Sequence, residues 1–219
     1  DVNLLPRRGV VESRKSVPNE LWRVIVSPMV TIVGETFTRK AAQLGLSITT
    51  PRFISVDQKI SLYNVFESNK VNDEQKCFIS VSLSEDRNSV EKLSHESVCK
   101  NYLFDCENGY IPQLKRVVQE FYDEIEIDNL MVGNVVTRDG VLNLRRDVEE
   151  YCNSLYIRVG IGNGSPCSSS DVAGINRGQI TELIECSAVS DLLKMGYCMG
   201  PDCTKPSSLI SDGGIKNSG

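Results

Sequence analysis

Seven short apolar runs, each followed by a polar or helically patterned stretch, set the rhythm of this chain. The runs fall at residues 24–28, 46–50, 77–83, 102–106, 130–136, 155–160 and 208–214. Their length and their content of Val, Ile, Leu and Phe suit strands buried on both faces. Between them, Phe37, Ala41 and Leu44 recur at helical spacing within 34–44, and Ile60, Tyr63, Val65 and Phe66 predict one face of a helix capped at Asp57. Leu114, Val117, Val118 and Phe121 form a stripe within 111–125, and further helices are expected over 141–151 and 180–195. Strand runs alternating with helices across short turns predict parallel pairing with right-handed crossovers.

An open doubly wound sheet and a closed (β/α)8 barrel both satisfy that rhythm. Polar residues favour the barrel. Ser27, Asp105, Asn134, Ser165 and Asp212 sit at or just past the C-terminal ends of different strands, the rim where barrels carry their chemistry. A dinucleotide fingerprint fails, because Gly160, Gly162 and Gly164 are followed by Ser165 where a third widely spaced glycine belongs. The reading is therefore an α/β TIM barrel occupying residues 1–219 as one domain. Seven strands are one short of closure, and the first residue is Asp rather than Met, so the sequence is expected to be a fragment of a longer chain that lacks the last strand–helix portion.

Composition narrows the function. A net charge of −5, with no basic run longer than Arg7-Arg8 or Arg145-Arg146, argues against nucleic acid as a partner. No apolar segment approaches the roughly 18 uninterrupted residues of a membrane span, and no signal peptide opens the chain, so a soluble cytoplasmic protein is expected. The eight cysteines are scattered without Cys-x-x-Cys spacing, which reads as free thiols rather than disulfides or a zinc site. The single histidine, His95, lies in a polar helical segment and is a poor candidate for acid–base work.

The chemistry concentrates in Arg158-Val-Gly-Ile-Gly-Asn-Gly-Ser-Pro-Cys167. Three closely spaced glycines let backbone groups turn inward toward a cation or phosphate, and a cysteine follows them where a loop leaves a strand. This stretch is similar to the catalytic-cysteine loop of the IMP dehydrogenase/GMP reductase family, and Ser211-Asp-Gly-Gly-Ile215 resembles that family's nucleotide-binding strand end. The likeness covers nearly the whole chain. Asp1-Val-Asn-Leu-Leu-Pro-Arg-Arg8, Ser13-Arg14, Asp105-Cys-Glu-Asn-Gly-Tyr110 and Val132-Gly-Asn-Val-Val-Thr137 look more like the reductase branch. The regulatory domain that dehydrogenases often insert has no room between the second and third strand runs.

The resemblance implies NADPH-dependent conversion of GMP to IMP through a covalent cysteine adduct. Cys167 is the implied nucleophile, and Ser169 stands where the family has a threonine that aids proton transfer. Substrate contacts are implied for Met29, Asn134, Ser165, Asp212, Gly213 and Gly214. Cofactor contacts are implied for Ser13, Arg14, Asp105, Cys106, Glu107, Ile161 and Gly162. The carbonyls of Gly162, Gly164 and Cys167 are the implied ligands of a potassium ion, and a homotetramer is the implied assembly. Three departures stand against the pattern: Val30 replaces an aspartate, Ser168-Ser169 replaces a Thr-Thr pair, and Arg52 is the nearest base to a lysine expected after the second strand. An IMP dehydrogenase that uses NAD, and an inactive nucleotide-binding subunit, are the alternatives.

Overall fold

The structure, a computed structural model, describes residues 21–106, 108–162, 178–194 and 207–213. Thirteen regular elements alternate along it: β1 (Ile25–Val26), α1 (Glu35–Gln43), β2 (Ser47–Thr49), α2 (Val56–Glu67), β3 (Cys77–Val81), α3 (Arg87–Glu96), β4 (Asn101–Asp105), α4 (Gln113–Tyr122), β5 (Asn129–Val135), α5 (Arg138–Val148), β6 (Ser154–Val159), α6 (Gln179–Lys194) and β7 (Ser207–Ser211). All neighbouring strands pair in parallel, and the seven-stranded sheet runs in sequence order from β1 to β7. A doubly wound sheet reverses its strand order at a switch point. This one never does, and it curls into a half-barrel with helices on its outer side.

Two hydrophobic clusters mark the two faces of the sheet. Outside, Ile79, Val81, Tyr102, Phe104, Leu130, Val132, Leu155 and Ile157 pack against buried helix residues such as Phe66, Leu93, Leu114 and Val118. Phe121 of α4 meets Tyr102 and Phe104 edge-on, at centroid distances of 4.9 and 5.3 Å. Inside, Phe78, Leu103 and Met131 form a separate cluster joined by Ile25, Tyr156 and Ile210. Residues one apart on a strand point to opposite faces, so Leu103 lines the inside while Tyr102 and Phe104 meet the helices. These inner residues form a floor, and the residues two positions further along each strand stand above it.

Two sequence expectations are corrected. On α1 the buried residues are Thr38, Ala41 and Ala42, whereas Phe37 and Leu44 are exposed. The close packing of α1 against α2 and β2 admits small side chains and turns the larger ones outward. On α2 the cap is Ser55 rather than Asp57: the Ser55 hydroxyl accepts from Gln58 N, and Gln58 Oε1 accepts from Ser55 N, a reciprocal capping box. Asp57 lies in the first turn and pairs with Lys92 at 2.6 Å. Residues 68–76 connect α2 to β3, and the buried Gln75 ties this connection to Ala42 O and Leu46 O, both at 2.9 Å.

His95 is exposed on α3, and the described cysteines 77, 99, 106, 152 and 186 are buried and in no disulfide. Among the described residues no helix is long and apolar enough to cross a membrane, and no group of three or more His, Cys, Asp or Glu could hold a metal ion.

Candidate functional site

Strand register assembles a polar layer above the apolar floor. Leu103, Met131 and Tyr156 are aligned across β4, β5 and β6, and two residues further on so are Asp105, Gly133 and Arg158. Gly133, on the middle strand, has no side chain to intervene between the other two. The Arg158 guanidinium therefore reaches Asp105, donating from Nη1 to Oδ1 at 2.6 Å. Its Nη2 donates in the other direction to Asp212 Oδ2 at 2.7 Å, just beyond β7. Asn134 Nδ2 donates to the same Asp212 oxygen and to Gly160 O, both at 2.6 Å. Arg52, from the turn after β2, donates to Asp105 O at 2.9 Å, lies 3.8 Å from Asp105 Oδ2 and stacks on Phe53.

Burial decides what these groups can do. The Arg158 side chain is 10% exposed, against 19% for Asp105 and 26% for Asp212. Arg158 is thus the covered centre of the group, while the two carboxylates keep edges open to the rim. Burial alone would pull the guanidinium below its ordinary pKa, but Asp212 and Asp105 more than offset this and hold it above. A charge so placed is kept by its partners: removing either would leave part of it unpaired in a covered site.

Cys106 follows Asp105 but turns away from solvent. Its thiol donates to Gly133 O at 2.9 Å, and burial, then the Asp105 charge, push its pKa up to about 11. It is therefore a protonated thiol near neutral pH, not a nucleophile.

Glycines shape the strand ends. Gly160 has φ +134°, and a Cβ there would run into Asp212 O and the Gln179 amide. That amide, at the start of α6, donates to Val159 O at 2.9 Å and to Ser211 Oγ at 3.0 Å, clasping the ends of β6 and β7 together. A Cβ on Gly133 would meet Arg158 O at 2.7 Å, so this glycine also permits the close approach of β5 and β6.

Of the residues singled out from the sequence, Asp105, Asn134 and Asp212 come together in this one network. Met29 is half-buried in the turn after β1, where its carbonyl accepts from Ile32 N and Val33 N. Ile161 is buried, and Gly162 and Gly213 adopt left-handed φ values of +79° and +82°. Ser13, Arg14, Glu107, Gly164, Ser165, Cys167, Ser169 and Gly214 lie outside the described residues. Arg158, at the head of the cysteine loop, carries no role among the residues that the family resemblance implies. The available signal was its spacing: two residues beyond Tyr156, it takes the same inward parity as Asp105 on β4.

A family model described as the IMP dehydrogenase / GMP reductase domain matches residues 5–219. The chain belongs to the IMP dehydrogenase/GMP reductase family. It is 24% identical to a GMP reductase of Onchocerca volvulus and 26% identical to GMP reductase 1 of Homo sapiens, each over 95% of this chain. It is also 34% identical, over 60% of its length, to an inosine-5'-monophosphate dehydrogenase of Cryptosporidium parvum. The crystal structure of inosine 5' monophosphate dehydrogenase from Legionella pneumophila shares the fold, with a TM-score of 0.67 at 21% identity over 89% of this chain. The chain spans 60% and 62% of the two reductases, 29% of the Cryptosporidium enzyme and 51% of the Legionella chain. Members of this family are oxidoreductases.

Proposed function

We propose that the full-length protein is an NADPH-dependent GMP reductase, releasing ammonia from GMP to give IMP. The observation that carries this reading is the network of Asp105, Arg158, Asn134 and Asp212 at the strand tips, at the foot of the segment that leads from β6 to Cys167. The Cys167 thiolate adds to the purine carbon that bears the amino group, and the amine leaves as ammonia once protonated, with Ser169 placed in sequence to assist that proton transfer. When the carbon–sulfur bond later breaks, the thiolate is restored. The hydride that replaces the amine on the purine carbon is what NADPH supplies when bound. A thiolate is required for the first step, so the loop must lower the thiol's pKa or provide a base.

Asp212 has an open edge and suits the ribose hydroxyls as an acceptor, while Ser165 and the amides of Gly213 and Gly214 suit the phosphate. Met29 and Asn134 complete the substrate side. Asp105, also partly open, suits a cofactor hydroxyl, alongside Ser13, Arg14, Glu107, Ile161 and Gly162. Cys106 belongs to the same strand end, but its thiol and its N–H both donate to Gly133 O and its carbonyl accepts from Asn134 N, which leaves only that carbonyl's second lone pair for a cofactor contact. Carbonyls of Gly162, Gly164 and Cys167 would hold a potassium ion, a fixed charge that would order the cysteine loop. Among these three only Gly162 is described, and its left-handed φ is compatible with a sharply turned loop. A homotetramer of single-domain barrels in the cytoplasm is part of the same reading.

The identity to the Cryptosporidium dehydrogenase supports a second reading, in which IMP is oxidised with NAD. Incubating the full-length protein with GMP and NADPH, and separately with IMP and NAD, tests both. Oxidation of NADPH that depends on GMP is expected, and Cys167→Ser should lower it at least about a thousandfold. Reduction of NAD by IMP without NADPH oxidation would reverse the assignment. Binding of GMP with no turnover and no adduct at Cys167 would mark an inactive subunit.

A further inference from the structure

We propose that Arg158 is a positioning residue that couples the two halves of the rim, so that a ligand held at Asp105 and a ligand held at Asp212 strengthen each other's binding. The inference rests on the functional reading above for the identity of those ligands, and on geometry for the coupling itself. A single covered guanidinium spends one arm on Asp105 at 2.6 Å and the other on Asp212 at 2.7 Å. Neither carboxylate can turn without changing what the guanidinium offers the other, since the fork is planar and rigid. Asp212 is held further by Asn134, and Asp105 by Arg52 on its far side, so each carboxylate has few ways to move except through Arg158. A ligand that accepts the orientation of one carboxylate therefore fixes the guanidinium, and the second ligand meets its own carboxylate already set. Coupling free energy of this kind is reciprocal between the two ligands.

Lysine in place of Arg158 keeps the positive charge but presents a point charge on a flexible stem, which cannot hold both carboxylates in one plane. The test measures the Kd of GMP for the full-length protein with and without saturating NADP+, and of NADP+ with and without GMP, in the parent and in Arg158→Lys. The parent should show tighter binding of each ligand in the presence of the other, by about fivefold or more. In Arg158→Lys this ratio should fall to about one, whatever happens to the separate affinities. A variant merely loosened in structure would weaken both ligands and leave the ratio unchanged, and that result would overturn the coupling.

A ligand-free measurement separates the two proposals. Denaturant midpoints of Asp105→Asn, Asp212→Asn and the double variant should be non-additive when Arg158 is present and additive in an Arg158→Met background. If the parent binds neither nucleotide, the functional reading fails while this cycle still decides the coupling. Additivity with Arg158 in place would refute it.

Discussion

At Gly160 the backbone leaves β6 with φ +134°, and the space a Cβ would need is taken by Asp212 O and the Gln179 side chain. Alanine there carries both backbone strain and a clash with main chain that cannot swing aside. Gly160→Ala should cost at least about 2 kcal/mol in a denaturant titration. A loss within about 0.5 kcal/mol would mean that β6 and β7 do not close on each other as described. The buried thiols make a second prediction. Burial raises Cys99 to about 12 and Cys106 to about 11, and raises Cys77 well above its ordinary 9.0. The unfolded chain ionises these thiols near 9, so their contribution to stability is complete below that pH and is lost as pH rises through the folded values. Unfolding midpoints should hold steady from pH 7 to 8.5 and fall from 9 to 11, and the fall should shrink in Cys106→Ala. At this scale the sequence was informative about which polar residues sit at strand ends, because Asp105, Asn134 and Asp212 each stand near the C-terminal end of one of the seven runs. The partner joining them was harder to see, since its role depends on the register between β5 and β6 and on a glycine that leaves the gap.

Among the elements, α2 shows how local signals compete. Ser55 and Asp57 are both competent N-cap residues, and Asp57 lies close to the first apolar positions. The reciprocal bonds between Ser55 and Gln58 decide for the serine, a pairing visible in the sequence as Ser-x-x-Gln. Ser55→Ala should therefore destabilise the protein by about 1 kcal/mol, and Asp57→Ala by clearly less, in parallel urea titrations. The reverse order would place the helix start two residues later. The error over α1 has a different origin. Phe37, Ala41 and Leu44 do recur with helical spacing, but the adjacent face of Thr38, Ala41 and Ala42 is the one small enough to pack against α2. Periodicity finds a helix readily, whereas the choice between neighbouring faces belongs to tertiary packing.

Across the whole molecule, the alternation of strands and helices was legible because parallel strands buried on both faces leave unbroken apolar runs, and all seven expected runs became strands. The sequential strand order, which distinguishes a curled barrel sheet from a doubly wound one, was signalled by polar residues spread over several strand ends instead of one crevice. The meeting of the cysteine loop with this rim is the proposal on which the chemistry depends. A crystal structure of the full-length protein with bound GMP tests it most directly. The account predicts the ribose hydroxyls on the Asp212 carboxylate and the amino-bearing purine carbon within reach of Cys167 Sγ. GMP bound away from the strand tips, or at them with Cys167 turned into the helical layer, would contradict it.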